Sequence, residues 1–159
     1  MAYPLLNPLP KDRTMKTIEL TEPQQHEVKA ENIIEFPLGL LGFEQVKNYV
    51  LLAQPQEEPF LWLQMLDNPN QGFVVVPPAT AVPDYTPDIS QGDIDFLGIK
   101  DPADAIVLNI VTVRGPETSV NLKGPIVINR HTLVGKQCIP TNVTAFALQH
   151  RIQSAPLAA

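Results

Sequence analysis

Three aspartates crowd one short polar segment, Asp88, Asp93 and Asp95, with Tyr85 just ahead of them. Carboxylates at that density could hold a hard divalent cation through oxygen, and a cation there could activate a water. Acids crowded on a short segment more often form a solvated or docking face, and the segment reads as a docking face. The other reactive residue types offer less. Ser90, Ser119 and Ser154 lie in no Gly-x-Ser-x-Gly turn, and His26, His131 and His150 show no metal-ligand spacing. The single cysteine, Cys138, has no CxxC or Cys/His neighbour and sits among apolar residues, as a small core residue in a reducing compartment would. Gly39 and Gly42 lack the order of a phosphate cradle. The run Asp67-Asn-Pro-Asn-Gln-Gly has neither the acid order nor the terminal Glu of a calcium loop. Neither an enzyme nor a cofactor is expected, and no residue is expected to be catalytic or metal-binding.

Charge sharpens the docking reading. From Ala53 to Asp104 there are nine acids against Lys100 alone, whereas from Ala105 onward five bases face only Glu117. Such asymmetry steers association with a basic partner. Direct nucleic-acid binding is disfavoured, because neutralising phosphates needs a basic footprint and the chain carries a net charge of −6. No apolar run approaches the length of a membrane span, and the first ten residues contain three prolines with the charges following the apolar residues, unlike a signal peptide. A soluble cytoplasmic protein is expected, monomeric when free.

The elements that would carry these residues are strands. Seventeen prolines exclude long helices, and short Val/Ile/Leu runs lie between them. The expectation is an all-β, compact single-domain, β-barrel-like fold with mostly antiparallel strands and one or two short helices. Residues 1–15 read as a mobile leader, 16–150 as the domain and 151–159 as a flexible tail. Strands are expected near Thr17 to Leu20, Asn32 to Phe36 and Tyr49 to Ala53, with one helical turn over Glu44 to Asn48. Phe60 to Leu66 and Gly72 to Val76 should form a hairpin across the Asp67–Gly72 turn. Pro83-Asp84-Tyr85 reads as an exposed aromatic and acid pair in a Pro-rich loop. A short helix follows within Asp88 to Ile99, then the strongest strand, Ile106 to Val113. Asn142 to Arg151 fits either a helix capped by Thr141 or a strand.

Thr118 to Asn129 is the stretch around which the rest is organised. Two β-type runs, Ser119 to Leu122 and Ile126 to Ile128, flank Gly124-Pro125, and Pro125 cannot donate to a ladder, so the strand must turn a corner. Ile126, Val127 and Ile128 suit burial on both faces. Asn121 and Asn129 need hydrogen-bond partners if buried, and tying strand ends to backbone would supply them.

Ile34-Glu-Phe-Pro37-Leu-Gly39-Leu-Leu-Gly42-Phe43-Glu44, Pro59 to Gln64, Gly72 to Pro77, Pro83 to Tyr85, Ile110 to Thr112, Thr118 to Asn129 and Gly135 to Gln137, taken in that order, resemble the bacterial flagellar assembly factor family, the FliW-like antagonists of the carbon storage regulator. Leu41 stands where that family often has proline. The resemblance implies a non-enzymatic cytoplasmic protein that binds flagellin. When flagellin is scarce, it implies binding to the carbon storage regulator, a small RNA-binding dimer, and allosteric relief of translational repression. Asp84, Tyr85, Asp88, Asp93 and Asp95 are then the expected regulator-docking residues, with Tyr85 as anchor. Phe36 to Phe43 is a candidate for flagellin, although the same residues suit a core.

Overall fold

The computed structural model describes residues 7–8 and 30–152. In chain order these form β1 (Asn7–Pro8), β2 (Ile34–Glu35), β3 (Asn48–Ala53), β4 (Leu61–Met65), β5 (Gly72–Val76), α1 (Pro78–Ala81), α2 (Gln91–Leu97), β6 (Ala105–Arg114), β7 (Glu117–Val120), β8 (Ile126–Asn129), β9 (Gly135–Gln137) and β10 (His150–Ile152). β3 to β6 are an antiparallel meander. Besides β5, β6 carries two more partners along its length, β7 on its second half and β8 on its first. Between them the register slips: Val111 faces Val120 and Leu108 faces Ile126, so three steps along β6 span six on the other side. Those extra residues are the corner expected at Gly124-Pro125. The sheet then curls back on itself. β9 pairs with β8, and the Glu35 amide reaches the Leu133 carbonyl at 2.9 Å beside a parallel bridge from Glu35 to Val134.

Alternation along the strands fills the curl. Tyr49 and Leu51, Leu61, Leu63 and Met65, Val75, Ile106 and Leu108, and Ile126 and Ile128 pack inside with Ile34, Phe36 and Leu40. Side chains of a strand alternate between faces, so one register slip would turn this set outward. Each such aliphatic burial stabilises by about 1.5–3 kcal/mol. Val127 points the opposite way and lies under α2 with Leu97 and Cys138. That explains a run apolar on both faces. A second apolar cluster, Phe60, Val76, Val111, Val120 and Leu122, is covered by Tyr85, Phe146 and Ile152.

Several local expectations change. β2 is only two residues long, and Glu44 to Asn48 is a turn followed by strand with no helix. The strand expected at Thr17 to Leu20 lies outside the described residues. Of the leader, Asn7–Pro8 pairs in parallel with Leu52 and Ala53 of β3. Asn142 to Arg151 resolves to a 3-10 turn, Val143–Ala145, and then β10, which pairs with β7 from His150 to Ile152. The domain therefore continues past residue 150. A helix there would leave the β7 edge unpaired and lift Phe146 from its contact with Tyr85. Among the described residues no helix is long and apolar enough to cross a membrane.

Candidate functional site

The acid-rich segment from Pro83 to Asp104 runs over the outer face of β6, β8 and β9. α2 anchors it. The Ser90 hydroxyl caps the helix by accepting the Asp93 amide at 3.1 Å, and Gly98 ends it in the left-handed conformation, φ 67°. From below, the Asn129 side-chain amide donates to the Leu97 carbonyl at 2.8 Å, while its oxygen accepts the His131 amide at 2.8 Å. One amide therefore ties the helix end to the end of β8. Asn121 ties the corner instead: its side chain accepts the Lys123 amide, and its carbonyl takes the Asn109 side-chain amide.

The five expected docking residues do not act alike in this setting. Asp93 is buried, 8% exposed, and its carboxylate pairs with the Lys136 ammonium from β9. Tyr85 is half-buried and not exposed. Its hydroxyl donates to the Leu122 carbonyl at 2.7 Å, its ring meets Phe146 edge-on at 4.8 Å, and burial raises its pKa against the lowering effect of the Asn109 amide. Asp84, Asp88 and Asp95 face solvent. The charge split along the sequence is also partly cancelled in space, since Lys136 meets Asp93, and the His131 ring hydrogen-bonds the Asp104 carboxylate at 2.9 Å. That contact holds the Asp104 carboxyl below its ordinary value. Among the described residues no three His, Cys, Asp or Glu side chains gather as metal ligands would.

Beside α2 lies an open groove of about 520 Å³, walled by Ile89, Ile94, Ile99, Val107 and Val127, with Asp88 and Asp101 among its lining. The 86–88 wall is fixed from a distant part of the chain. Asn142 accepts the Asp88 amide at 2.9 Å and donates to the Thr86 carbonyl, and the Thr141 amide donates to the Asp88 carbonyl. Sequence reasoning missed Asn142 and the buried Asn109, whose only signal is a lone amide inside the apolar strand Ala105–Arg114.

A second exposed feature sits on the loop Pro37 to Glu44. Phe36 and Leu40 are buried, whereas Leu38, Leu41 and Phe43 are 53%, 59% and 41% exposed. The loop is held rigidly. Gly39 and Gly42 have φ of 70° and 88°, the Leu41 amide donates to the Gln137 side chain at 2.9 Å, and Phe43 packs edge-on to Phe73. The other end of the Gln137 side chain donates to the Gly124 carbonyl at 3.0 Å, joining the loop to the corner. The Gly42 amide donates to the Glu44 carboxylate and keeps its pKa low.

Comparison with known proteins adds to this geometry. The family model described as FliW protein matches residues 17–152. A flagellar assembly factor FliW of Leptospira interrogans serovar Lai is 37% identical over 132 residues, covering 81% of this chain and 88% of that protein. The FliW of Geobacillus thermodenitrificans is 37% identical over 128 residues, covering 79% and 88%. A crystal structure of the flagellar assembly factor FliW superposes with a TM-score of 0.73 at 36% identity, covering 79% of this chain and 89% of that one.

Proposed function

The chain belongs to the FliW family of flagellar assembly factors, and we propose that it works by binding and not by catalysis. It holds flagellin and, when flagellin is scarce, holds the carbon storage regulator instead, relieving repression of flagellin translation from outside the RNA-binding surface. The observation that carries this reading is the solvent-facing set Asp84, Asp88 and Asp95 on a segment fastened by Ser90, Asn129 and Asn142. An RNA-binding protein carries a basic footprint, and a fixed acidic face complements it in charge and speeds encounter. The apolar loop bearing Leu38, Leu41 and Phe43 is the surface offered to flagellin, because three large exposed apolar side chains on a rigid loop gain most from a partner that covers them. The protein is monomeric when free, works in the cytoplasm and contacts no nucleic acid directly. Switching then needs no more than mass action between two ligands.

Calorimetric titration of the purified protein with its cognate regulator and with flagellin tests this. Asp88→Lys with Asp95→Lys should weaken the regulator complex at least tenfold at low salt and leave flagellin binding unchanged. Leu38→Ser with Leu41→Ser should do the reverse. Equal affinities for wild type and the lysine variant at low salt would remove the acidic face from the regulator site.

A further inference from the structure

We infer that the groove beside α2 seats a cationic, aliphatic segment of the partner protein, its apolar side chain entering between Ile94 and Val107 and its Arg or Lys meeting Asp88. The inference rests on the reading of the acidic face as a docking face. Three observations carry it. The groove, at about 520 Å³, falls within the roughly 300–1,000 Å³ of sites that take small groups. Its walls are aliphatic, Ile89, Ile94, Ile99, Val107 and Val127, without the convergent polar groups that orient a free small molecule. A side chain carried on a partner's backbone needs no such groups, because the backbone orients it. The rim is acidic: the solvent-facing Asp88 carboxylate has no bonding partner among the described residues, and Asp101 is also in the lining. Asp101 spends one oxygen on the Ala103 amide, and Lys100 is the only base in the lining.

The remaining acids nearby explain why the rim and not the helix interior sets the charge. Asp93 is taken by Lys136 and Asp104 by His131. An unpaired carboxylate at the lip of an apolar slot selects a cation beside an aliphatic group and disfavours an acidic or purely apolar segment. Both walls are already held in place, by Asn142 on one side and by Ser90 and Gly98 on the other, so little ordering is left for binding to supply.

The test uses the full chain with labelled methyl groups, titrated with acetyl-Lys-Ile-Arg-Leu-amide, with the matched Glu-Ile-Glu-Leu peptide and with the regulator. The cationic peptide and the regulator should shift the methyls of Ile94, Val107 and Val127, and the acidic peptide should not. Ala105→Phe, which fills the groove from β6, should lose at least tenfold in regulator affinity, and Asp88→Lys should lose as much and flatten the salt dependence. Groove methyls that shift with the peptide while the regulator fails to bind would keep the groove and reject the proposed partner. Regulator binding with unshifted groove methyls and full affinity in Ala105→Phe would reject the groove and keep the acidic face. Methyl shifts that grow with protein concentration alone would make the occupant a second copy of this chain and overturn the inference.

Discussion

The loop at one end of the curled sheet and the helix α2 on its outer face both present apolar side chains to solvent, but they are fastened in opposite ways. The loop is held by backbone: two glycines at positive φ, a turn closed on Glu44, and a main-chain amide given to the buried Gln137. It shares Phe36 and Leu40 with the main core. α2 is held by side chains, the Ser90 cap, the Asn129 amide and the pair Asp93–Lys136, over the small cluster Leu97, Val127 and Cys138. A region tied into the main core opens only when the whole domain does, while one tied by a few polar contacts can open alone. Both are therefore fixed in the native state, but the loop opens only with the whole domain whereas α2 opens at a smaller free energy.

Gly39→Ala gives the largest effect and tests the loop directly. Its Cβ would stand 2.4 Å from the Glu44 Cα on a backbone at φ 70°. A loss of about 3 kcal/mol in urea unfolding is expected, in one cooperative transition. Gly42→Ala, at φ 88° with nothing within 4 Å, should lose only about 1 kcal/mol. Equal losses would mean that strain alone, and not the close approach to Glu44, fixes the loop.

Asn129→Asp comes next and acts on the helix. The aspartate keeps an oxygen for the His131 amide but replaces the donor aimed at the Leu97 carbonyl by an acceptor. The buried mismatch should cost about 2 kcal/mol. Amide exchange in α2 should quicken well beyond the change in the strands. Uniform acceleration across the domain would show that α2 and the curled sheet open together.

How far the sequence discloses these two regions follows from the range of their contacts. The hairpin across Asp67–Gly72, the corner at Gly124-Pro125 and the two-faced run Ile126 to Ile128 are set by neighbours in the chain, and periodicity and turn chemistry reveal them. The fastenings are not local. Leu41 meets Gln137 across 96 residues, Asp88 meets Asn142 across 54, and Tyr85 turns its hydroxyl to Leu122 across 37. Tyr85 and Asp93 look like surface groups because their neighbours in sequence are Pro, Asp and Gly, and only the fold brings Phe146 and Lys136 over them. The segment Asn142 to Arg151 is ambiguous for the same reason, since the β7 edge that makes its end a strand comes from elsewhere in the chain.

Cys138 lies beneath α2 and reports its opening. Burial raises the thiol from 9.0 to about 12, with nearby Asp93 adding to the rise. In the folded state it stays protonated and should resist a thiol-reactive disulfide reagent at about pH 8, where an exposed thiol, of pKa about 8.5, reacts. In Asn129→Asp, labelling should accelerate more than global stability falls, whereas in Gly39→Ala the two should move together. The pH dependence has a definite sign. The unfolded thiol loses its proton first, so its contribution to stability is complete below pH 9.0 and is lost as pH rises toward about 12. Substituting Cys138→Ala should flatten that part of the urea midpoint profile.

The smallest effect expected on stability is the most informative about the helix face. Asp95 is exposed near the C-terminal end of α2, where the helix dipole disfavours an acid, and its carboxylate accepts the Gln91 side-chain amide at 2.8 Å. Asp95→Asn removes a repulsion of about 0.3 kcal/mol with the helix end and weakens a bond of similar size, so unfolding should shift by less than about 0.5 kcal/mol. Affinity for the proposed basic partner should fall all the same, most at low salt, because the acid's field reaches beyond the helix. An acid that gives its own helix nothing while serving a partner would mark α2 as a face shaped for docking. A loss of stability with no change in affinity would instead make Asp95 part of the fastening and leave Asp84 and Asp88 to carry the charge.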